Sequence, residues 1–138
     1  MALTSGFAMP RRGARRGNSF GYPVAPGEQV WRGGYVCLNA SGQIVRPQTS
    51  GAAVPGGICS QDYWNVGNSS PGAQNIELME GCFPLTVPGA TAANIGANVY
   101  ATDDNTFTLT QPGSGFEVAI GVLAGIDNGQ TYVLLARS

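Results

Sequence analysis

Turn-forming residues divide this chain into short runs of strand formers, and this spacing constrains its fold more than any other feature. The 138 residues include 21 glycines and 9 prolines. The clearest turn is Asn128-Gly129, which separates two apolar runs at residues 118–126 and 130–136. Asn-Gly favours a type I′ turn because both central positions need a positive φ. The pattern predicts a β-hairpin at the end of the chain.

A second hairpin is predicted around Asp103, Asp104 and Asn105, between strand formers at residues 98–101 and 106–110. These side chains suit a tight turn better than a calcium loop, which needs oxygens at alternating positions and a later glutamate. Earlier runs repeat the pattern of strand and turn, and no dependable helix is predicted. The expected fold is all-β, a compact β-sandwich or small β-barrel of about eight to ten short strands, with an extended N-terminal arm.

A faint internal repeat accompanies these strands. A hairpin, a proline and a Gly-apolar pair occur twice in the same order, and 22 residues separate Val36 from Ile58 and Val99 from Gly121. Since turn-rich β sequences easily mimic one another, the repeat is a hypothesis of duplication.

Composition excludes several kinds of chemistry. The chain has no histidine and no lysine, and only 11% of its residues are charged. Ser-His and Cys-His nucleophiles, histidine metal sites, P-loop lysines and Schiff-base lysines are therefore excluded. We expect a protein that is not an enzyme and that needs no cofactor and no metal.

The charge is divided between the two ends of the chain. Residues 1–24 contain four arginines and no acid, whereas residues 25–138 carry a net charge of −5. This predicts a basic arm at residues 1–25 and a β-rich domain at residues 26–138. The arm can dock on an acidic protein surface, bind phosphates or remain a solvated tail; the acidic body argues against nucleic acid. The predicted partner-binding residues of the arm are Phe7, Met9, Arg11, Arg12, Arg15, Arg16, Phe20 and Tyr22.

Two further sets of residues are candidates for contacts. The last strand is apolar on both faces, which suits a sandwich, a closed barrel or a subunit interface. Its self-association residues are predicted to be Tyr132, Val133, Leu134 and Leu135. The aromatic residues Trp31, Tyr63 and Trp64 are candidates for exposed contacts, with an interface, the core and a sugar ligand as the alternatives.

The three cysteines, Cys37, Cys59 and Cys82, are too widely spaced for a zinc site. Small buried thiols in a reducing compartment are expected, with a disulfide as the alternative. No window approaches about 18 consecutive apolar residues, so no membrane partner is expected.

Several short, glycine-containing motifs follow one another in a definite order along the chain. They are Gly27-Glu28-Gln29-Val30, a hairpin ending at Pro47, Gly57-Ile58-Cys59, a stretch from Leu85 to Gly96 leading into Asn98-Val99-Tyr100, and Ile120-Gly121-Val122-Leu123. Over residues 26–138 the chain resembles the small capsid decoration, or cement, proteins of tailed bacteriophages. The arginine arm is an addition to that pattern.

The resemblance implies a structural virion protein that binds the outer surface of an assembled phage capsid and bridges coat subunits. Its partners would be the major capsid protein and further copies of itself, as a trimer or otherwise a dimer. It would reside on the capsid exterior, and in the host cytoplasm before assembly. The alternatives are a tail-associated carbohydrate-binding β module and a hydrolase that uses carboxylates alone.

Overall fold

The computed structural model describes residues 2–10 and 21–135 and is almost entirely β. Its strands are Gly21–Pro23 (β1), Gln29–Val30 (β2), Tyr35–Leu38 (β3), Ile44–Val45 (β4), Val54–Cys59 (β5), Tyr63–Trp64 (β6), Asn75–Met79 (β7), Gly81–Phe83 (β8), Asn98–Asp103 (β9), Thr106–Thr108 (β10), Gly121–Asp127 (β11) and Gln130–Leu135 (β12). A 3₁₀ turn covers Ala92–Asn94. The all-β prediction is confirmed, and two-residue strands raise the number of strands above the expected eight to ten.

These strands form two five-stranded sheets and a small ribbon. The first sheet has the order β1-β7-β5-β3-β4, and the second has the order β10-β9-β11-β12-β8. Strands β2 and β6 pair as the ribbon. None of the described sheets closes into a barrel, so the sandwich is the alternative that the structure supports.

The main core lies between the two sheets. The first sheet contributes Tyr35, Cys37 and Ile58, which alternate with residues that point the other way. The second sheet contributes a larger set: Phe83, Val99, Ala101, Phe107, Leu123, Val133 and Leu135. The ring of Tyr35 meets Phe107 edge-on at 6.5 Å between centroids, and this contact joins the sheets.

A second cluster covers the other face of the first sheet. Its sheet residues include Val36, Leu38, Ile76 and Leu78, and Val30 of the ribbon packs with them. The first sheet is therefore apolar on both faces. The molecule has three layers, the ribbon, the first sheet and the second sheet.

The two sheets repeat one topology. If the five strands of each sheet are numbered 1 to 5 in chain order, both sheets have the strand order 3-2-4-5-1. Val99 pairs with Gly121, whereas Val36 pairs with Gly57 and Ile58 pairs with Tyr35, one position from the spacing that the sequence suggested. The shared strand order is compatible with duplication, which stays a hypothesis. The units correspond to residues 21–79 and 81–135.

The predicted terminal hairpin is present. Asn128 and Gly129 have φ values of 52° and 80°, as a type I′ turn requires. They connect β11 and β12, which pair over six positions with one bulge. Within the described residues, no helix has the length and apolar character needed to cross a bilayer.

Candidate functional site: the interaction surfaces

Residues 2–10 lie against the folded body. The backbone N–H of Leu3 donates to Asp104 Oδ1 at 2.9 Å, and the N–H of Phe7 donates to the Arg32 carbonyl at 2.7 Å. Met9 packs against the core between the sheets. Phe7 is 38% exposed. Both residues contact their own chain, and their predicted role in binding a partner stays a prediction.

Two glycines let this N-terminal segment approach closely. A Cβ on Gly33 would lie 2.5 Å from the Phe7 carbonyl oxygen and 2.8 Å from its ring. Gly33 also has a φ of 87°, a conformation that L side chains rarely adopt. A Cβ on Gly34 would lie 2.9 Å from the Leu3 side chain. The absence of side chains at Gly33 and Gly34 thus lets Leu3 and Phe7 pack directly against this part of the backbone.

Tyr22 also belongs to the body. It lies in β1, pairs with Ile76 of β7 and packs against the cluster on the outer face of the first sheet. Residues 21–23, which the sequence assigned to the arm, form the first strand of the first sheet.

The described residues on either side of the arginine cluster belong to the body. Arg11, Arg12, Arg15, Arg16 and Phe20 lie outside the described residues. The segment before them is docked through Phe7 and Met9, and the segment after them begins at Gly21 in β1. The structure thus describes both flanks of the cluster, and partner binding by the arginines stays a prediction.

Asp104 anchors the N-terminal segment from the β9–β10 turn. Asp103 Oδ1 accepts a hydrogen bond from the Asn105 N–H at 2.8 Å, so these residues form a hairpin turn as predicted. Asp104 is 1% exposed, and its Oδ2 has no hydrogen-bond partner among the described residues. Burial raises the pKa of its carboxyl above the ordinary value. Within the described ranges, no three His, Cys, Asp or Glu side chains are grouped to hold a metal.

The raised pKa of Asp104 predicts that the free energy of unfolding falls as pH rises. As pH rises from below 3.8, this carboxyl ionises first in the unfolded chain, so its contribution to the free energy of unfolding falls. Above the raised pKa the loss is complete. Asp104→Asn removes this ionisation and keeps an oxygen for the Leu3 N–H. Denaturant unfolding from about pH 3 to pH 8 should show wild type losing stability relative to the variant as pH rises.

The control is Glu117→Gln, which removes the ionisation of an exposed carboxyl outside this turn. A constant difference between wild type and Asp104→Asn across the pH range would contradict the proposed cost of ionising Asp104.

Strand β12 divides its residues between two environments. Val133 and Leu135 are 0% and 1% exposed, because alternation points them into the core between the sheets. They are therefore removed from the predicted self-association surface. Leu134 is 36% exposed and Tyr132 is half-buried, on the opposite face of the strand.

The three candidate aromatic residues do not form a common platform. Trp64 is 65% exposed, whereas Tyr63 is half-buried against the outer cluster of the first sheet and its hydroxyl accepts from the Ala73 N–H. Trp31 is partly buried, and its indole N–H has no partner in the described part of the chain. Only Trp64, of the three, offers a broad exposed ring.

A depression of about 590 Å³ lies between two loops of equivalent position in the repeat. Residues 47–52 line one side, and Pro112 and residues 114–116 line the other, with Thr102. Its aromatic residue, Phe116, is 4% exposed, so it offers no open ring for stacking on a sugar.

The three cysteines form no disulfide. Cys37 and Cys59 are buried, and burial raises the pKa of both thiols, that of Cys59 to about 11. Cys82 is half-buried on β8. Cys82 is therefore the most accessible of the three thiols.

Sequence patterns did not predict the buried charged network of Glu28 and Arg46. Glu28 is 3% exposed, and Arg46 bonds it through the backbone N–H, Nε and a guanidinium nitrogen at 3.0, 3.0 and 2.8 Å. Glu28 also accepts from the Gln29 N–H and the Thr49 hydroxyl. The network ties the turn before β2 to the strand end after β4. Glu28 lies within the Gly-Glu-Gln-Val motif, but its pairing with Arg46 has no local signal.

Comparisons with protein-family models, curated proteins and solved structures return no match for this chain.

Proposed function

We propose that this chain is a structural virion protein that binds the outer surface of an assembled phage capsid and stabilises the shell by bridging coat subunits. The observation that carries the proposal is the division of charge: residues 11–16 hold four arginines, whereas the body from Gly21 to Leu135 holds two arginines and all eight acids. Four closely spaced guanidinium groups can bind carboxylates of a partner. The order of the sequence motifs supports the capsid as that partner.

The mechanism is binding without bond-making chemistry. Each copy contributes modest contacts from its arginines to the coat, and association between copies links these contacts. Tethered contacts reinforce one another because the second binding event becomes intramolecular. Such a protein would be present in the host cytoplasm before assembly and would then bind the capsid exterior.

Co-sedimentation with undecorated phage heads tests the proposal. The purified chain should sediment with heads and saturate, and decorated heads should release DNA at a higher temperature than bare heads. Matched empty and filled heads identify any dependence on DNA. A chain that stays in the supernatant at every concentration would refute the proposed function.

A carbohydrate-binding module remains the second candidate, and the exposed ring of Trp64 is the observation in its favour. Glycan-array binding that is lost in Trp64→Ala, together with no affinity for heads, would favour this second function over the first.

A further inference from the structure

Residues 2–10, which we call the strap, cross the body outside every described sheet. Among the described residues, two backbone hydrogen bonds hold the strap, from the Leu3 N–H to Asp104 and from the Phe7 N–H to the Arg32 carbonyl. Met9 adds an apolar contact with the main core. A segment with so few hydrogen bonds opens at a lower free energy than the sheets. The strap can therefore leave the body while the sheets remain folded.

One end of the strap lies directly on a buried carboxyl. The Leu3 N–H donates to Asp104 Oδ1 at 2.9 Å. A Cβ on Gly34 would lie 2.9 Å from the Leu3 side chain and 3.4 Å from the Asp104 Cβ, so Leu3 and Asp104 meet above Gly34. Asp104 is 1% exposed. Leu3 thus takes part in excluding water from this carboxyl.

The buried carboxyl lacks hydrogen bonds that its ionised form needs. A carboxylate can accept hydrogen bonds at both oxygens, whereas Asp104 Oδ2 has no partner in the described part of the chain. Burying a charge without full hydrogen bonding costs more free energy than burying the neutral acid. When the strap leaves, water can reach the carboxyl. Ionisation of Asp104 therefore favours the released strap, and protonation favours the docked strap.

One contact acts in the opposite direction. The hydrogen bond from the Leu3 N–H is stronger to a carboxylate than to the neutral acid. Burial is the larger effect, and it raises the pKa of Asp104 although the Leu3 N–H lowers it. Asp103, on the same turn, also raises this pKa, and Arg46 lowers it. Because the strap itself carries no charged residue, these groups favour release as pH rises.

We propose that the strap is docked while Asp104 is protonated and is released as this carboxyl ionises. Release frees Phe7 and Met9, which the sequence assigned to binding a partner, from their contacts with the body. Acid conditions keep these two residues on their own chain. The strap opens within a single chain, so the inference does not depend on capsid binding.

Nuclear magnetic resonance of the full chain tests the inference over a pH series from about 3 to 8. The Phe7 amide is the reporter, because it makes the other hydrogen bond of the strap, away from the carboxyl. As pH rises, its chemical shift should move toward that of a free peptide of residues 2–10, and its heteronuclear NOE should fall. The carboxyl carbon of Asp104 should titrate over the same pH range.

Two variants identify the group that controls the strap. Asp104→Asn removes the ionisation and keeps an acceptor for the Leu3 N–H, so the Phe7 amide should lose its pH dependence and stay near its low-pH position. Glu117→Gln removes an exposed carboxyl elsewhere and should keep the wild-type profile. The wild-type titration needs no variant, so it remains decisive if Asp104→Asn does not fold.

A Phe7 amide that stays at one position, docked or free, at every pH would overturn the inference. So would a strap that docks more firmly as Asp104 ionises, because the charge-assisted bond from Leu3 would then exceed the cost of burial. An equal pH response in Asp104→Asn would assign the opening to another group. If the strap fails these tests and the chain still sediments with phage heads, the inference fails while capsid binding stands.

Discussion

Glu28→Ala should lower the free energy of unfolding by about 3 kcal/mol, because it leaves a paired arginine without its carboxylate. Glu28 is 3% exposed and accepts hydrogen bonds from Arg46, Gln29 and Thr49. The Arg46 side chain is 22% exposed, so water can partly hydrate the remaining charge. This places the expected loss at the lower end for a broken buried pair. Urea denaturation measures it directly.

Two controls separate the ion pair from a general loss of charge. Glu117→Ala removes an exposed glutamate and should change stability by less than about 0.5 kcal/mol. The double variant Glu28→Ala/Arg46→Ala should cost less than the sum of its single variants, because neither charge is left alone. A Glu28→Ala variant as stable as Glu117→Ala would contradict the network.

The quadruple variant with alanine at Arg11, Arg12, Arg15 and Arg16 should bind undecorated heads about 30-fold more weakly. An exposed ion pair contributes about 0.5 kcal/mol, so four contribute about 2 kcal/mol. If several linked copies bind together, the loss grows further. The dependence of binding on salt should flatten, since fewer charges are left to screen. Co-sedimentation over a salt series measures both effects.

Lysine at the same four positions is the matched control. It keeps the charge but lacks the planar fork that binds carboxylates bidentately, so intermediate affinity is expected. Deleting residues 1–20 is a poorer experiment, because it also removes the contacts of Leu3 and Phe7 with the body. An alanine variant with wild-type affinity and salt dependence would exclude the arginines from binding.

Local patterns predicted much of the β framework. The alternation of residues 75–79 appears in β7, where Ile76 and Leu78 are buried and their neighbours more exposed. The apolar run at residues 131–135 predicted two covered faces for β12. Its inward face lies in the core, whereas Tyr132 and Leu134 lie on the opposite face and are only partly buried.

The candidate surfaces were less predictable. Gly33 and Gly34 gave no sign that residues 3–7 dock on them, because a glycine pair suits any turn. The ribbon joins Val30 to Tyr63 across 33 positions, a pairing that no local period encodes. The burial of Asp104 depends likewise on contacts with a segment 101 residues away.

The sequence by itself determined the all-β class and the two hairpin turns near the end of the chain, because these follow from backbone preferences within a few residues. It also determined the separation of a basic segment from an acidic body. Only the tertiary structure decided that Val133 and Leu135 belong to the core while Leu134 faces outward. The same holds for the N-terminal segment that lies on its own body. Packing decides these questions, because the face that becomes buried depends on which distant layer covers it.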